Sequence, residues 1–263
     1  MFGRGHGVSP RRGRLVHHHW HMTRPLIGIT SEMAAAGWGD RVREAVLLPA
    51  SYAWALQRAG CIPVLLPPAP YGAIGLVARL DAVLFSDGRD IDPSRGGGDG
   101  DAGDGSAEPD LVRDAGEFAL MRAAIAARLP LLAVGRGMRV LNAVRGGSVT
   151  GAAAPAADAA APPAARELRI GPGTRLDRVL GPSVSVVAAA WPSGRHQDVD
   201  RLGGGLSAAA WTADDAIVAV ELTGHPFAIG LAWQPEQGED LRIFEALRAA
   251  AAARRQEAVP AAS

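Results

Sequence analysis

Short apolar runs alternate with segments of helical spacing from Arg24 to Val149, and this alternation points to a parallel α/β sheet. RPLIGIT (24–30), CIPVLLPP (61–68), LDAVLFSDG (80–88) and LLAV (131–134) read as strands, the second of them buried like the rest. LLPASYAWALQRAG (47–60) has helical spacing and stops at Gly60; a short helix follows the prolines at 67 and 68. RDAGEFALMRAAIAARLP (113–130) and GMRVLNAVRGGSV (137–149) are the next two helices. Strands joined through crossover helices lie parallel, with both faces of the sheet covered.

The C-terminal half is richer in strands. RELRIGPGTRLDRVLG, SVSVVAAAW and AIVAVELTGHPFAIGLAWQPE supply β segments, and LRIFEALRAAAAARRQ is a closing helix. The expected organisation is a single domain over 22–250 and a tail over 251–263. Residues 1–21 are basic and aperiodic and read as a disordered extension, with Met22 as a natural start. Two further stretches, GGGDGDAGDGSAEPD (96–110) and TGAAAPAADAAAPPAA (150–165), have the composition of flexible connections.

Composition narrows the function classes. Lys+Arg and Asp+Glu are both 27, so net charge suggests neither nucleic acid nor an anionic membrane as partner. No apolar stretch approaches the roughly 18 residues of a membrane span. Cys61 is the single cysteine, which excludes an intrachain disulfide and suits a reducing cytoplasm. His17, His18, His19 and His21 match no closed metal site, and no cofactor fingerprint is present, the Gly-rich loop included.

The chemistry-bearing feature is LLAVGRGMRVLN (131–142): an apolar strand, a tight Gly-bounded turn, and the opening of a helix. That layout is a nucleophile elbow, which pushes one reactive side chain toward the amides that stabilise an oxyanion. The residue at its apex is Gly135.

With these motifs in order, the chain resembles the class I glutamine amidotransferase superfamily, and most closely its γ-glutamyl-γ-aminobutyrate hydrolase branch, the peptidase C26 group. SDGRDIDPS resembles the oxyanion loop. RDAGEFALMRAAIAARLPLLAVGRGMRVLNAVRGGSV resembles the R-D-x-x-E helix, the G-x-C-R-G-M elbow and the L-N-x-x-x-G-G that follows. RHQDVDR resembles the H-H-Q segment and AWQPE the terminal Q-W-H-P-E. The resemblance implies a flavodoxin-like sheet and thiol acyl transfer: a Cys attacks a γ-glutamyl amide, a His moves the proton, a Glu orients the His, and loop amides hold the oxyanion.

Carried over by position, the nucleophile falls on Gly135, the His on Gln234 and the acid on Glu236. Glycine has no reactive group, and a glutamine amide is no base near neutral pH. The resemblance places oxyanion donors at the amides of Gly88 and Arg136, and pocket residues at Asp87, Arg89, Arg195, His196 and Gln197. Asp87 stands where the family has Gly, Arg195 replaces the first His, and Pro192 replaces an Asn. Asp87 and Arg89 also read as a solvated loop pair, and His196 as a scaffold residue. Cys61 begins an apolar strand and reads as a buried hydrophobe. Ser86 and Ser193 have no assigned base.

Three readings follow. The first is a non-hydrolytic protein that binds a γ-glutamyl or amino-acid small molecule, in a regulatory role. The second is an enzyme with Cys-independent chemistry on a γ-glutamyl-like substrate. The third is a structural partner, as a homodimer or as the companion of an active enzyme.

Overall fold

The computed structural model describes residues 24–97, 110–151, 165–187 and 197–258. The N-terminal extension, the His cluster, most of both flexible connections, and Pro192, Ser193, Arg195 and His196 lie outside them.

Strands β1 (Leu26–Thr30), β2 (Glu32–Trp38) and β3 (Arg41–Leu47) precede helix α1 (Ala50–Arg58). There follow β4 (Ile62–Leu66), α2 (Ala73–Val77), β5 (Ala82–Phe85), α3 (Leu111–Ala126), β6 (Leu131–Val134) and α4 (Arg136–Val144). The remainder comprises β7 (Ser148–Gly151), β8 (Arg166–Ile170), α5 (Arg175–Leu180), β9 (Ser183–Val186), β10 (Gln197–Arg201), β11 (Leu206–Trp211), β12 (Ile217–Leu222), β13 (Ala228–Leu231) and α6 (Arg242–Ala258).

A nine-stranded sheet in the order β4-β1-β5-β6-β13-β12-β11-β8-β9 organises the molecule. From β4 to β13 the pairings are parallel, and from β13 to β9 they are antiparallel. The C-terminal strands therefore extend the same sheet, and β13 returns to lie beside β6. Alternation along each strand feeds two cores. Ile27, Ile29, Leu84, Leu132, Val134, Ile229 and Leu231 pack with α1, α5 and α6. Val83, Phe85, Leu131, Ala133 and Val220 pack on the other face with α2, α3 and α4.

Four sequence expectations are corrected. CIPVLLPP forms β4, but as an edge strand whose Ile62, Val64 and Leu65 are exposed; an apolar run has the same pattern at the edge or the centre of a sheet. The segment from Glu32 to Leu47, given no element from sequence, is an antiparallel hairpin that forms a sheet of its own. The helix read over 47–60 begins at Ala50, because Leu47 closes that hairpin. Helix α6 runs past residue 250 into the stretch read as a tail, with Ala251 fully buried. Its Ala- and Arg-rich composition is among the best for helix.

Candidate functional site

The carboxyl ends of the adjacent parallel strands β1, β5, β6 and β13 converge on one cleft, the usual ligand position of an open α/β sheet. It holds about 190 Å³. Ser86, Asp87 and Gly88 line it from the loop after β5, and Gln234, Glu236 and Gln237 from the turn after β13. Tyr52 of α1, Arg113 of α3 and Glu32 of β2 also reach it, with Leu47, Leu48 and Pro49 as an apolar wall.

Gly135 is the turn between β6 and α4, with φ 51° and ψ −109°. That backbone is strained for any residue with a side chain, as the apex of a nucleophile elbow is. Its amide is fixed to the Leu231 carbonyl at 2.7 Å, tying the turn to β13.

The space above the apex is filled by Asp87. A Cβ on Gly135 would fall 2.0 Å from Asp87 Oδ1. That oxygen accepts from the Arg136 amide at 2.8 Å, and the other accepts from the Gln234 side-chain amide. Of the two expected oxyanion donors, the Arg136 amide is thus taken by a carboxylate. Gly88 lies on the cleft and is held to glycine by the Arg113 guanidinium, 2.2 Å from where its Cβ would stand.

Behind the cleft runs a buried ion network built by α3. Arg113, Asp114 and Glu117 fall on the buried side of this helix. Glu117 bridges Arg113 Nε at 3.0 Å and Arg136 Nε at 2.9 Å, while Asp114 accepts from Arg136 Nη2. Arg113 Nη2 donates to Ser86 and to the Asp87 carbonyl, and Arg136 Nη1 to the Arg89 carbonyl at 2.8 Å. Asp114 also accepts from the Asp92 amide at 2.9 Å. The R-D-x-x-E spacing is therefore a clamp on the 86–92 loop and on the helix after the elbow. Burial opposes the charge of Arg136, but Glu117 and Asp114 outweigh it and raise its pKa. Arg139 is buried too; burial lowers its pKa, partly offset by Asp90 at 3.3 Å and Asp87 at 3.8 Å.

Glu236 is buried, and its Oε2 has no hydrogen-bond partner. Burial lifts its pKa to about 7, assisted by the Asp87 charge and opposed by hydrogen bonds, the Tyr52 hydroxyl among them. The same hydroxyl accepts from the Asp87 amide at 3.0 Å. Burial first, then Glu236 and Asp87, push the Tyr52 pKa well upward.

The expected site residues separate into two groups. Gly135, Arg136, Asp87, Gly88, Gln234 and Glu236 come together. Arg89 is exposed, and Asp87 turns inward instead of forming the expected solvated pair with it. Gln197 is withdrawn from the cleft: its side chain accepts from the Ile91 amide at 3.1 Å and donates to the Ile91 carbonyl at 3.0 Å. Ser86 is no nucleophile, since its proton goes to the Thr30 carbonyl at 2.7 Å. Cys61 is buried away from the cleft, and burial raises its pKa to about 11. Tyr52, Glu32 and Arg139 escaped the sequence reading. A buried Arg-Asp pair with Glu one turn later, on an otherwise apolar helix, was the one available signal for the network.

The Peptidase C26 family model matches residues 25–236. The chain belongs to the peptidase C26 family. A relative from Mycobacterium tuberculosis, "Putative glutamine amidotransferase Rv2859c", is 34% identical over 251 residues, covering 90% of this chain and 79% of its own. The Escherichia coli (K12) gamma-glutamyl-gamma-aminobutyrate hydrolase PuuD is 29% identical, covering 72% of this chain and 78% of its own. Among solved structures, a GMP synthase-like protein of Thermoplasma acidophilum aligns with a TM-score of 0.60 at 14% identity. The alignment covers 89% of this chain and 98% of that one, a likeness of fold. The mostly parallel sheet flanked by helices is the class I glutamine amidotransferase architecture expected from the motifs.

Proposed function

We propose that this C26 family member does not hydrolyse γ-glutamyl amides by thiol chemistry and instead binds a γ-glutamyl or amino-acid small molecule in a regulatory role. The observation that carries this reading is Asp87. Its carboxylate lies where a side chain at the elbow apex would project, and it accepts the Arg136 amide that would hold an oxyanion. A fixed negative charge there destabilises the tetrahedral intermediate that the hole exists to stabilise. Gly135 supplies no nucleophile and Gln234 no base, so Glu236 is left without a histidine to orient. Oxyanion hole and binding alone leave roughly 10³–10⁴ over water in a related triad, too little for amide turnover. The C26 relatives with gamma-glutamyl-gamma-aminobutyrate hydrolase names support the ligand class.

The test is an assay against a panel of γ-glutamyl amides, with thermal shift read in parallel. The expected result is ligand-dependent stabilisation without turnover. Hydrolysis by the unmodified chain would overturn the reading. Restoring the thiol requires three changes together, Asp87→Gly, Gly135→Cys and Gln234→His, because the cysteine alone collides with Asp87.

A further inference from the structure

Resting on the reading that no acyl transfer occurs here, we propose that the cleft is inverted in polarity and seats a primary ammonium group against Asp87 and Glu236. The ligand class is a small alkylammonium, or a molecule that presents one.

An oxyanion site offers donors; this cleft offers acceptors. The Arg136 amide and the Gln234 side chain both point into Asp87, so their hydrogens face a carboxylate already in place. The Asp87 side chain is 16% exposed, leaving acceptor capacity toward the cleft. Glu236 lines the same cleft, is more than nine-tenths buried, and keeps Oε2 without any partner. A buried acceptor left in that state is destabilising, and a donor brought by a ligand would answer it. At the mouth, Glu32 adds a third carboxylate, 38% exposed.

The nearby cations do not cancel these charges. Arg113 is engaged by Glu117, Ser86 and the Asp87 carbonyl, with Glu32 at 3.5 Å. Arg136 is shared by Asp114 and Glu117, and Arg139 by Asp87 and Asp90. Six carboxylates thus stand against three guanidinium groups in and behind the cleft. Among the described residues no three carboxylate, His or Cys side chains stand close enough to hold a metal ion. An ammonium, with three diverging donors, is matched to several carboxylates that line one cleft. Leu47, Leu48 and Pro49 supply an apolar wall for its alkyl stem, and about 190 Å³ is room for a few heavy atoms.

Binding displaces the proton that burial retains on Glu236. The groups facing Glu236 are Tyr52, Asp87 and Gln237, with Glu32 and Arg113 on the other cleft walls. None of these is a histidine, so affinity for an ammonium rises as pH passes upward through about 7, where Glu236 ionises.

The experiment is calorimetric titration of the full chain with n-butylammonium chloride, with 1-butanol, butyrate and magnesium chloride as controls, at about pH 6 and about pH 8. Saturable binding of butylammonium alone, tighter at the higher pH, is the expected result. Glu236→Gln should weaken it by about tenfold and abolish the pH dependence. Glu32→Gln, on the rim, should weaken it about threefold. Absence of saturable butylammonium binding, equal binding of 1-butanol, displacement by magnesium, or an unchanged affinity in Glu236→Gln would each overturn the proposal. In a chain inert toward γ-glutamyl amides, such a failure leaves the non-hydrolytic reading standing; turnover of those amides overturns that reading first.

Discussion

Asp87 and Gly135 occupy one another's space, and that single contact separates this site from a thiol hydrolase. A side chain at 135 meets both a left-handed backbone and the Asp87 carboxylate. Gly135→Ala should therefore lower stability by about 2–4 kcal/mol, whereas in an Asp87→Gly background the backbone strain alone, about 1–2 kcal/mol, remains. Urea midpoints across the four proteins of this cycle measure the coupling, and additive effects would disprove the collision. Glu236 gives a second residue-level prediction. Its folded pKa of about 7 lies above the ordinary 4.5, so the folded state retains a proton that the unfolded chain has released. Its contribution to stability is full below about pH 4.5 and is lost as pH rises through about 7, by about 3 kcal/mol in all. Unfolding at pH values on either side of that window should show the loss, and Glu236→Gln should remove it.

Among the elements, α3 does more than cover the sheet. Its buried Arg113, Asp114 and Glu117 hold the 86–92 loop and α4 together, so the position of Asp87 over the elbow is set from a helix outside the cleft. Glu117→Ala leaves Arg113 with Glu32 and Arg136 with Asp114 as their carboxylate partners, and should cost about 3–5 kcal/mol, the usual result of stripping one partner from a buried ionic group. Glu117→Gln, which keeps one acceptor, should cost less; chemical denaturation ranks the two. At the far end of α4, Asn142 plays the matching role, donating to the Ser148 and Arg201 carbonyls and accepting from the Gly203 amide. These polar residues sit inside the R-D-x-x-E and L-N-x-x-x-G-G motifs that carry the family resemblance. Their bonds are those of a frame, which explains how the fold persists around an elbow with no reactive atom.

At the scale of the whole molecule, two buried groups with opposite shifts shape the stability profile. His225 is buried, its Nδ1 accepts from the Phe227 amide at 3.3 Å and its Nε2 has no partner. Burial, then the charge of Arg128, lowers its pKa to about 4. Its contribution is present above about pH 6.5 and is lost as pH falls to about 4, because only the unfolded chain takes up the proton. Glu236 and His225 therefore oppose one another between about pH 4.5 and about pH 6.5. There, Glu236→Gln should leave a stability that rises with pH, and His225→Gln one that falls; urea titrations at a series of pH values would read both slopes.

The alternating strands and helices of the N-terminal half and the strand–turn–helix at Gly135 were legible along the chain. Periodicity of apolar residues and Gly-bounded turns are local properties, and a parallel sheet follows from their alternation. The empty apex was legible too, since a glycine lacks a nucleophile in any fold. Other features depended on residues far apart in sequence. An apolar run looks the same at the edge of a sheet as at its centre, so β4 was misplaced. Gln197 was assigned to a pocket, but it is tied to the Ile91 backbone more than a hundred residues away. Only the tertiary structure turned Asp87 inward, onto the Arg136 amide and Gln234, and left Glu236 buried with an unanswered oxygen. Where a carboxylate points, and whether water or protein answers it, is decided by groups that the chain brings together only once it has folded.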